Sequence, residues 1–455
     1  MSLTTRRIIF YALVVLFLVS GGGVLLYANG WRLDPETFAV RKTGGVYIES
    51  VPRDAEILLN GKAVRNASGL ISSGTLVSGL LPRAHEVTVQ KEGYAAWRRV
   101  LTVKPSLVTK AEHIILVPRK SVAVPLPVPA AAIRVSGETL VASFADGHIA
   151  LGGVRVPGTE FVAFTAGKSA AISYDENRGA YFFTSLPASA SVSAAKSSLN
   201  LTTLFNNLKE RTLGLPGFVL PREVIAHPFD AKKAVVRTDH GLYVIDTERL
   251  SIVQIAGGLP AGQADGSAEL TAVLARSQSL VWTEYSRTRN ESALMTADLI
   301  LRTSSRLATA AGATLKIGEA PDGGFLLLAQ DGRLFSLPRS AKETETIEEA
   351  ASDFSFSPAD QALIVLLRDG SLALWDFRKT PKRVALPLVA DEFLWHEDGA
   401  HIFVRRGGAV SFVELFEDGE VLETPLGEAV TAMAYDPSRD LFYLLENGAL
   451  RSLEL

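Results

Sequence analysis

The chain contains no cysteine. That single absence removes a disulfide framework, a thiolate nucleophile and a cysteine-based zinc site. It also removes a lipid-modified N-terminal cysteine, so any membrane attachment must come from the polypeptide itself. An excess of one charge is missing too: 46 basic and 49 acidic residues leave a formal net charge of -3. Nucleic-acid binding needs a basic surface that displaces counterions from phosphates, so no nucleic-acid partner is expected. Apolar residues make up 47% and charged residues 21%, the balance of a globular protein. At 455 residues the chain exceeds one compact core, and two or three domains are expected.

Catalytic patterns are equally scarce. No Gly-x-Ser-x-Gly elbow occurs, and no Asp-x-Asp-x-Asp-Gly run suits a calcium loop. Seven histidines are scattered: His85, His113, His148, His227, His240, His396 and His401. His396 and His401 come nearest to a metal motif, but they lie five apart around Asp398-Gly399, whereas a helical zinc site needs a spacing of four. A structural or solvent-facing role is the expectation for both. Asp-Gly and Asn-Gly pairs recur throughout the chain, and they read as tight hairpin turns that need positive φ.

What is present begins at the N-terminus. Ile8 to Leu26 carry no charge, and Arg6 and Arg7 precede them. Nineteen residues at a rise of 1.5 Å give roughly 30 Å of helix, the thickness of a hydrocarbon core. The thirteen Ile, Leu, Val and Phe side chains among them favour insertion by about 4–8 kcal/mol. The expected layout is a cytoplasmic tail (1–7), a signal-anchor helix (8–27) and a juxtamembrane linker (28–43), with the bulk extracytoplasmic. A cleaved signal peptide is the rival reading, although Val19-Ser20-Gly21 makes a poor cleavage site inside the apolar run.

Residues 44–118 alternate with period two, as in Val46, Ile48 and Ser50 or Val87 and Val89, with Asn60-Gly61 as a turn between strands. A strand-only module of this size should form a small β-sandwich. Pro52 and Ala55, Asn60-Gly61, and Gly93-Tyr94, in that order and spacing, resemble a PEGA domain. The naming motif reads Pro52-Arg53-Asp54-Ala55 here. The resemblance implies an envelope-associated β-sandwich in a prokaryote and no catalytic residues. Residues 119–130 follow, with Pro125, Pro127 and Pro129. They suit a stiff linker, an outermost strand whose missing N–H groups face one edge, or both.

From 131 to 455 the chain repeats at about forty residues, each unit holding an apolar strand and a Gly-centred hairpin, which is the pattern of a β-propeller. The unit with Asp369-Gly370 and Trp375-Asp376 is similar to a WD40 blade, though that Trp-Asp pair occurs once. Unit starts near Ile133, Phe161, Val224, Ala272, Lys316, Phe354, Phe393 and Met433 give eight blades, with seven as the alternative. The last unit has three strands and needs a fourth, for which a segment near 121–128 is the candidate. Residues 185–221 break the pattern. Leu199, Leu204, Phe205 and Leu208 there suit a short amphipathic helix, and the segment reads either as a binding insertion or as a disordered or self-packing loop.

The fold class expected is therefore mainly β: an N-terminal transmembrane helix, a small β-sandwich, then a seven- or eight-bladed propeller. The expected function is a membrane-anchored extracytoplasmic scaffold that binds an envelope protein or polymer. No enzymatic activity, cofactor, metal or specific small molecule is implied. Two alternatives stay open, an enzyme with its site at the propeller's central mouth and a sensor or assembly subunit of an envelope complex.

Overall fold

The computed structural model describes residues 3–455 except 69–72, 188–196, 240, 258–267, 359–361, 378–380 and 417. The chain divides at Ser121 into two compact units.

The first unit opens with a helix, Leu3–Ala28. Within its span Thr5–Ala28 an 18-residue window has a mean hydropathy of 2.5 and is nowhere buried against protein. The segment expected to be a linker instead contains a short hairpin, in which Trp31–Leu33 pairs antiparallel with Val40–Lys42. Two sheets follow. Gly44–Val51 sits centrally in the first, antiparallel to Thr75–Leu80 and parallel to Val108–Ile115. The second runs Lys62–Val64, Glu56–Leu59, Ala84–Gln90, Trp97–Thr102. Alternate residues of both sheets are buried, among them Val46, Ile48, Ile57, Val87 and Val89, so the pleat sets the core directly.

The family-like residues have visible jobs in this unit. Asn60 and Gly61 both adopt positive φ, the geometry of a two-residue hairpin turn. The Asn60 side chain then accepts from Glu86 N–H at 3.0 Å and meets His85 Nδ1 at 2.9 Å, tying the turn to the next strand. Ala55 is buried, Gly93 has φ +86, and Tyr94 bridges to Pro118.

The second unit contains, among its described residues, eight four-stranded antiparallel sheets. We call them blades 1–8. Their first strands are Ala132–Ser136, Glu160–Phe164, Glu223–Ala226, Glu269–Arg276, Thr314–Glu319, Ala351–Phe356, Glu392–Trp395 and Val430–Asp436. Seven blades are consecutive meanders. Blade 8 has three strands from the C-terminus and takes its fourth from Val122–Val124, which pairs with Leu450–Ser452. The prolines at 125, 127 and 129 lie past this strand, so the proline ladder itself is not the paired segment.

Continuous apolar runs in the middle strands follow from burial on both faces. In Phe325–Ala329 every residue is buried. Phe325, Leu327 and Ala329 face a core shared with blade 4, while Leu326 and Leu328 face one shared with blade 6. The same sharing joins blades 1 and 2, 2 and 3, 3 and 4, and 6 and 7. Blades 7 and 8 meet through Phe403 stacked on Phe442, with ring centroids 3.9 Å apart. Blades 8 and 1 share Tyr443, Leu445, Ile133 and Phe144. The ring is thus closed by packing at every seam.

Of residues 185–221, the stretch 188–196 lies outside the described residues. Ser197–Asn200 is the fourth strand of blade 2, and Leu201–Leu213 is a helix. Asn200 caps it by accepting from Thr203 N–H at 2.9 Å, and Gly214 closes it in the left-handed conformation.

Because each blade is buried by both neighbours, removing residues 430–454 should destabilise the whole ring. The truncated chain is expected to lose its single cooperative thermal transition, checked by calorimetry. A normal transition would show that the blades fold independently.

Candidate functional site at the seam of blades 7, 8 and 1

The sequence-based binding candidates lie inside the fold. Phe205 and Leu208 are buried between blades 2 and 3, and Leu199 and Leu204 pack half-buried against them. Phe205 meets Tyr243 with ring centroids 5.2 Å apart. The buried Lys209 donates to the carbonyls of Leu215 and Gly217, both at 2.8 Å, and so staples down the loop after the helix. Phe205, Leu208 and Lys209 hold the insertion in the core, while Leu199 and Leu204 stay partly exposed at its edge. Trp375 likewise packs against the core between blades 5 and 6, while Asp376 pairs with Ala362 at the end of its ladder. Asp369 caps its turn by accepting from Ser371 N–H at 2.9 Å, with Gly370 at φ +84.

The chemistry-bearing cluster forms where spacing argued against one. Between Glu392–Trp395 and His401–Arg406 the chain turns through Asp398-Gly399. Asp398 Oδ1 accepts from the N–H groups of Ala400 at 2.9 Å and His401 at 3.1 Å, and Gly399 takes φ +67. His396 N–H donates to the His401 carbonyl at 3.0 Å, which zips the two histidines to opposite ends of the turn. Both rings then face one carboxylate. His401 Nδ1 lies 2.6 Å from Asp398 Oδ2, and His396 Nδ1 lies 3.0 Å from Asp398 Oδ1.

The network crosses into blade 8. His396 Nε2 lies 3.1 Å from Asp440 Oδ1, which also accepts from the Tyr435 hydroxyl at 2.9 Å. His401 stacks on Phe412 at 4.6 Å. Burial disfavours a charge on His396, but hydrogen bonds to Asp398 and Asp440 outweigh it and raise its pKa to about 9. Burial alone would raise Asp398, yet both histidines hold it well below the usual carboxylate range. Tyr435 is pushed up by burial and by its bond to Asp440. When His396 is neutral its Nδ1 can accept from Asp398 N–H at 3.3 Å.

The two imidazoles and Asp398 offer three donor atoms within 4.8 Å of one another, a set that could in principle hold a transition metal. Each donor is already hydrogen-bonded within the cluster, so a metal would have to displace those bonds. Other described histidines also have local partners: His85 with Asn60, His148 with Asp146, and His227 with Asp230 N–H. Burial holds His227 near pKa 4. His113 is exposed, and His240 lies outside the described residues.

Beside the cluster a cavity of about 500 Å³ opens on the first strands of blades 1, 7 and 8. First strands of blades 8 and 1 run side by side, as do those of blades 2 and 3 and of blades 4 and 5, as expected of the innermost strands of a propeller. Ile133, Leu394 and Met433 supply apolar lining, while Arg134, Glu392 and Glu397 bring charge. Tyr435 lines it too, and so links the cavity to the buried network. Sequence reading missed this site because strand alternation does not say which first strands become neighbours.

Residues 43–114 match the PEGA domain family model. A PEGA domain followed by a β-propeller is the class of architecture that the fold defines. No curated protein matches the chain. Among solved structures it is similar to Sqt1 of Saccharomyces cerevisiae, at 12% identity over 74% of this chain and 98% of that one, TM-score 0.48. The computationally designed Ika8 protein matches at 12% identity over 72% and 97%, TM-score 0.47. An oligogalacturonate lyase from Vibrio parahaemolyticus matches at 10% over 74% and 98%, TM-score 0.44.

The network makes stability depend on pH. His396 titrates at about 9 when folded against an ordinary 6.5, so its contribution is full below about pH 6.5 and fades as pH rises through 9. The depressed Asp398 works the other way: its contribution is full above its ordinary 3.8 and fades only as pH falls toward its folded value. Urea midpoints should therefore fall between pH 6.5 and 9, and His396→Gln should flatten that slope. An unchanged slope in the variant would remove His396 as its cause.

Proposed function

We propose that this is a single-pass membrane protein whose propeller binds an extracytoplasmic protein or envelope polymer and does not turn it over. The observation that carries the anchor is the helix Thr5–Ala28, 24 residues in which an 18-residue window has a mean hydropathy of 2.5 with no protein covering it. Such a surface is satisfied by lipid, and its length of roughly 36 Å suits a tilted span. Arg6 and Arg7 at its start favour a cytoplasmic N-terminus, which exports both β units.

The binding reading rests on the cavity of blades 1, 7 and 8. It combines an apolar floor with a few converging charges, the usual make-up of a recognition site. The adjacent histidines are nearly fully buried and engaged with carboxylates, which suits a brace across the blade seam better than a proton shuttle to a substrate. Glu392 is braced in turn by Arg405 at 3.0 Å, leaving the cavity wall rigid.

A test is chemical cross-linking of the full-length protein in its membrane, comparing wild type with the double variant R134E/E397K. The wild-type capture profile should lose at least one specific partner or polymer in the variant, while the thermal transition stays unchanged. Identical capture would place recognition elsewhere on the ring. Substrate turnover lost in the same variant would replace the binder with an enzyme.

A further inference from the structure

The hairpin after the membrane helix carries features that its packing does not explain. In its register Trp31 lies opposite Lys42 and Leu33 opposite Val40, so these four share one face, while Arg32 and Arg41 share the other. The apolar members of the first face are exposed: Leu33 by 60%, Val40 by 53% and Trp31 by 37%. At the turn Phe38 adopts φ +51, a conformation that bulky residues rarely take, and stands 80% exposed.

The turn is nonetheless firmly built. Buried Asp34 accepts from Glu36 N–H at 3.1 Å and Thr37 Oγ1 at 2.9 Å, and Asp34 N–H donates to the Ala39 carbonyl at 2.9 Å. Phe38 is therefore held outward by a structured loop.

The depth of this hairpin relative to the helix is fixed by contacts. Arg32 places its guanidinium carbon 3.4 Å from the centroid of the Tyr27 ring and donates to the Tyr27 carbonyl at 2.8 Å. Tyr27 belongs to the last turn of the helix, where an amphipathic ring sits at the headgroups. Trp31 follows Ala28 by three residues, a reach of at most about 10 Å. Arg83 pairs with Glu36 at 2.5 Å, and Thr43 Oγ1 donates to the Gly30 carbonyl at 2.7 Å, joining the hairpin to the β domain and to the helix exit.

We propose that residues 31–42 form an interfacial foot on an anionic phospholipid surface: Trp31, Leu33, Phe38 and Val40 enter the headgroup layer, and Arg32, Arg41 and Lys42 meet lipid phosphates. The occupant is the bilayer, because the exposed apolar face is continuous with the lipid-facing helix, carries Lys42, and is backed by Arg32 and Arg41 on the hairpin's other face. This foot sets the height of the β domain above the membrane. The inference rests on the helix being a retained span.

The absence of cysteine allows clean single-site spin labelling. Phe38→Cys and Leu16→Cys are each labelled in the full-length protein, reconstituted in vesicles of phosphatidylethanolamine with phosphatidylglycerol. Accessibility to oxygen is then compared with accessibility to a polar nickel complex. The label at 16 should read deep. The label at 38 should show an oxygen-to-nickel ratio several-fold above that of a label on the aqueous surface, and Leu33→Asp with Val40→Asp should bring it down to the aqueous value. A deep reading at 16 with an aqueous reading at 38 overturns the foot alone. An aqueous reading at 16 overturns the anchor and the foot together.

Discussion

A β-sheet that ends in an unpaired strand offers its open N–H and C=O groups to any other chain, and a ring of blades has one place where this must be resolved, namely where the two ends of the chain meet. Here the resolution is three residues long. Val122–Val124 leaves the PEGA domain and completes blade 8 beside Ala449–Glu454. Every other part of the second unit depends on that closure. Each blade is buried on both faces, so each core is half made by a neighbour, and an open ring would leave two of those faces to water. The pairing also determines where the chain enters the ring, directly after the domain that follows the apolar N-terminal helix.

The same logic explains why the polar network lies at the seam of blades 7 and 8. Phe403 and Phe442 supply the apolar part of that seam, and the sequence Tyr435, Asp440, His396, Asp398, His401 supplies a hydrogen-bonded brace across it. Buried carboxylates are tolerated when they are fully hydrogen-bonded, and here imidazole and backbone N–H groups meet that need. The brace reaches the cavity through Tyr435, which lines it together with Arg134 and Glu397. Adjacent residues of one loop thus serve the cavity and the brace, with Glu397 lining the cavity and His396 and Asp398 holding the turn.

Period and turn chemistry were legible from residues alone. The blade starts read near Ile133, Phe161, Val224, Ala272, Lys316, Phe354, Phe393 and Met433 all fall in first strands, because burial on both faces writes long apolar runs that Gly-centred turns punctuate. Asn60-Gly61 likewise announced its hairpin. What stayed hidden was set by contacts between distant segments or by very short elements. The three-residue strands of the hairpin at 31–42 are too brief for a period to show. Ser197–Asn200 disappears in a Ser- and Ala-rich stretch, since its pairing with blade 2 comes from position and not from side chains. Leu204, Phe205 and Leu208 gave the right helix, though Leu199 falls in the strand before it, and none indicated which surface would cover it. His396 and His401 failed a spacing rule written for helices, whereas a turn brings residues five apart onto one carboxylate.

The most direct measurement is on the closing pair itself. Ala123 lies opposite Arg451 in the register of blade 8, and in a chain without native thiols Ala123→Cys with Arg451→Cys can be joined by a short thiol-reactive cross-linker. Closure through this pairing predicts near-complete cross-linking in the folded protein and a higher melting temperature for the whole ring. Failure to cross-link, or cross-linking that leaves the ring's unfolding unchanged, would contradict it.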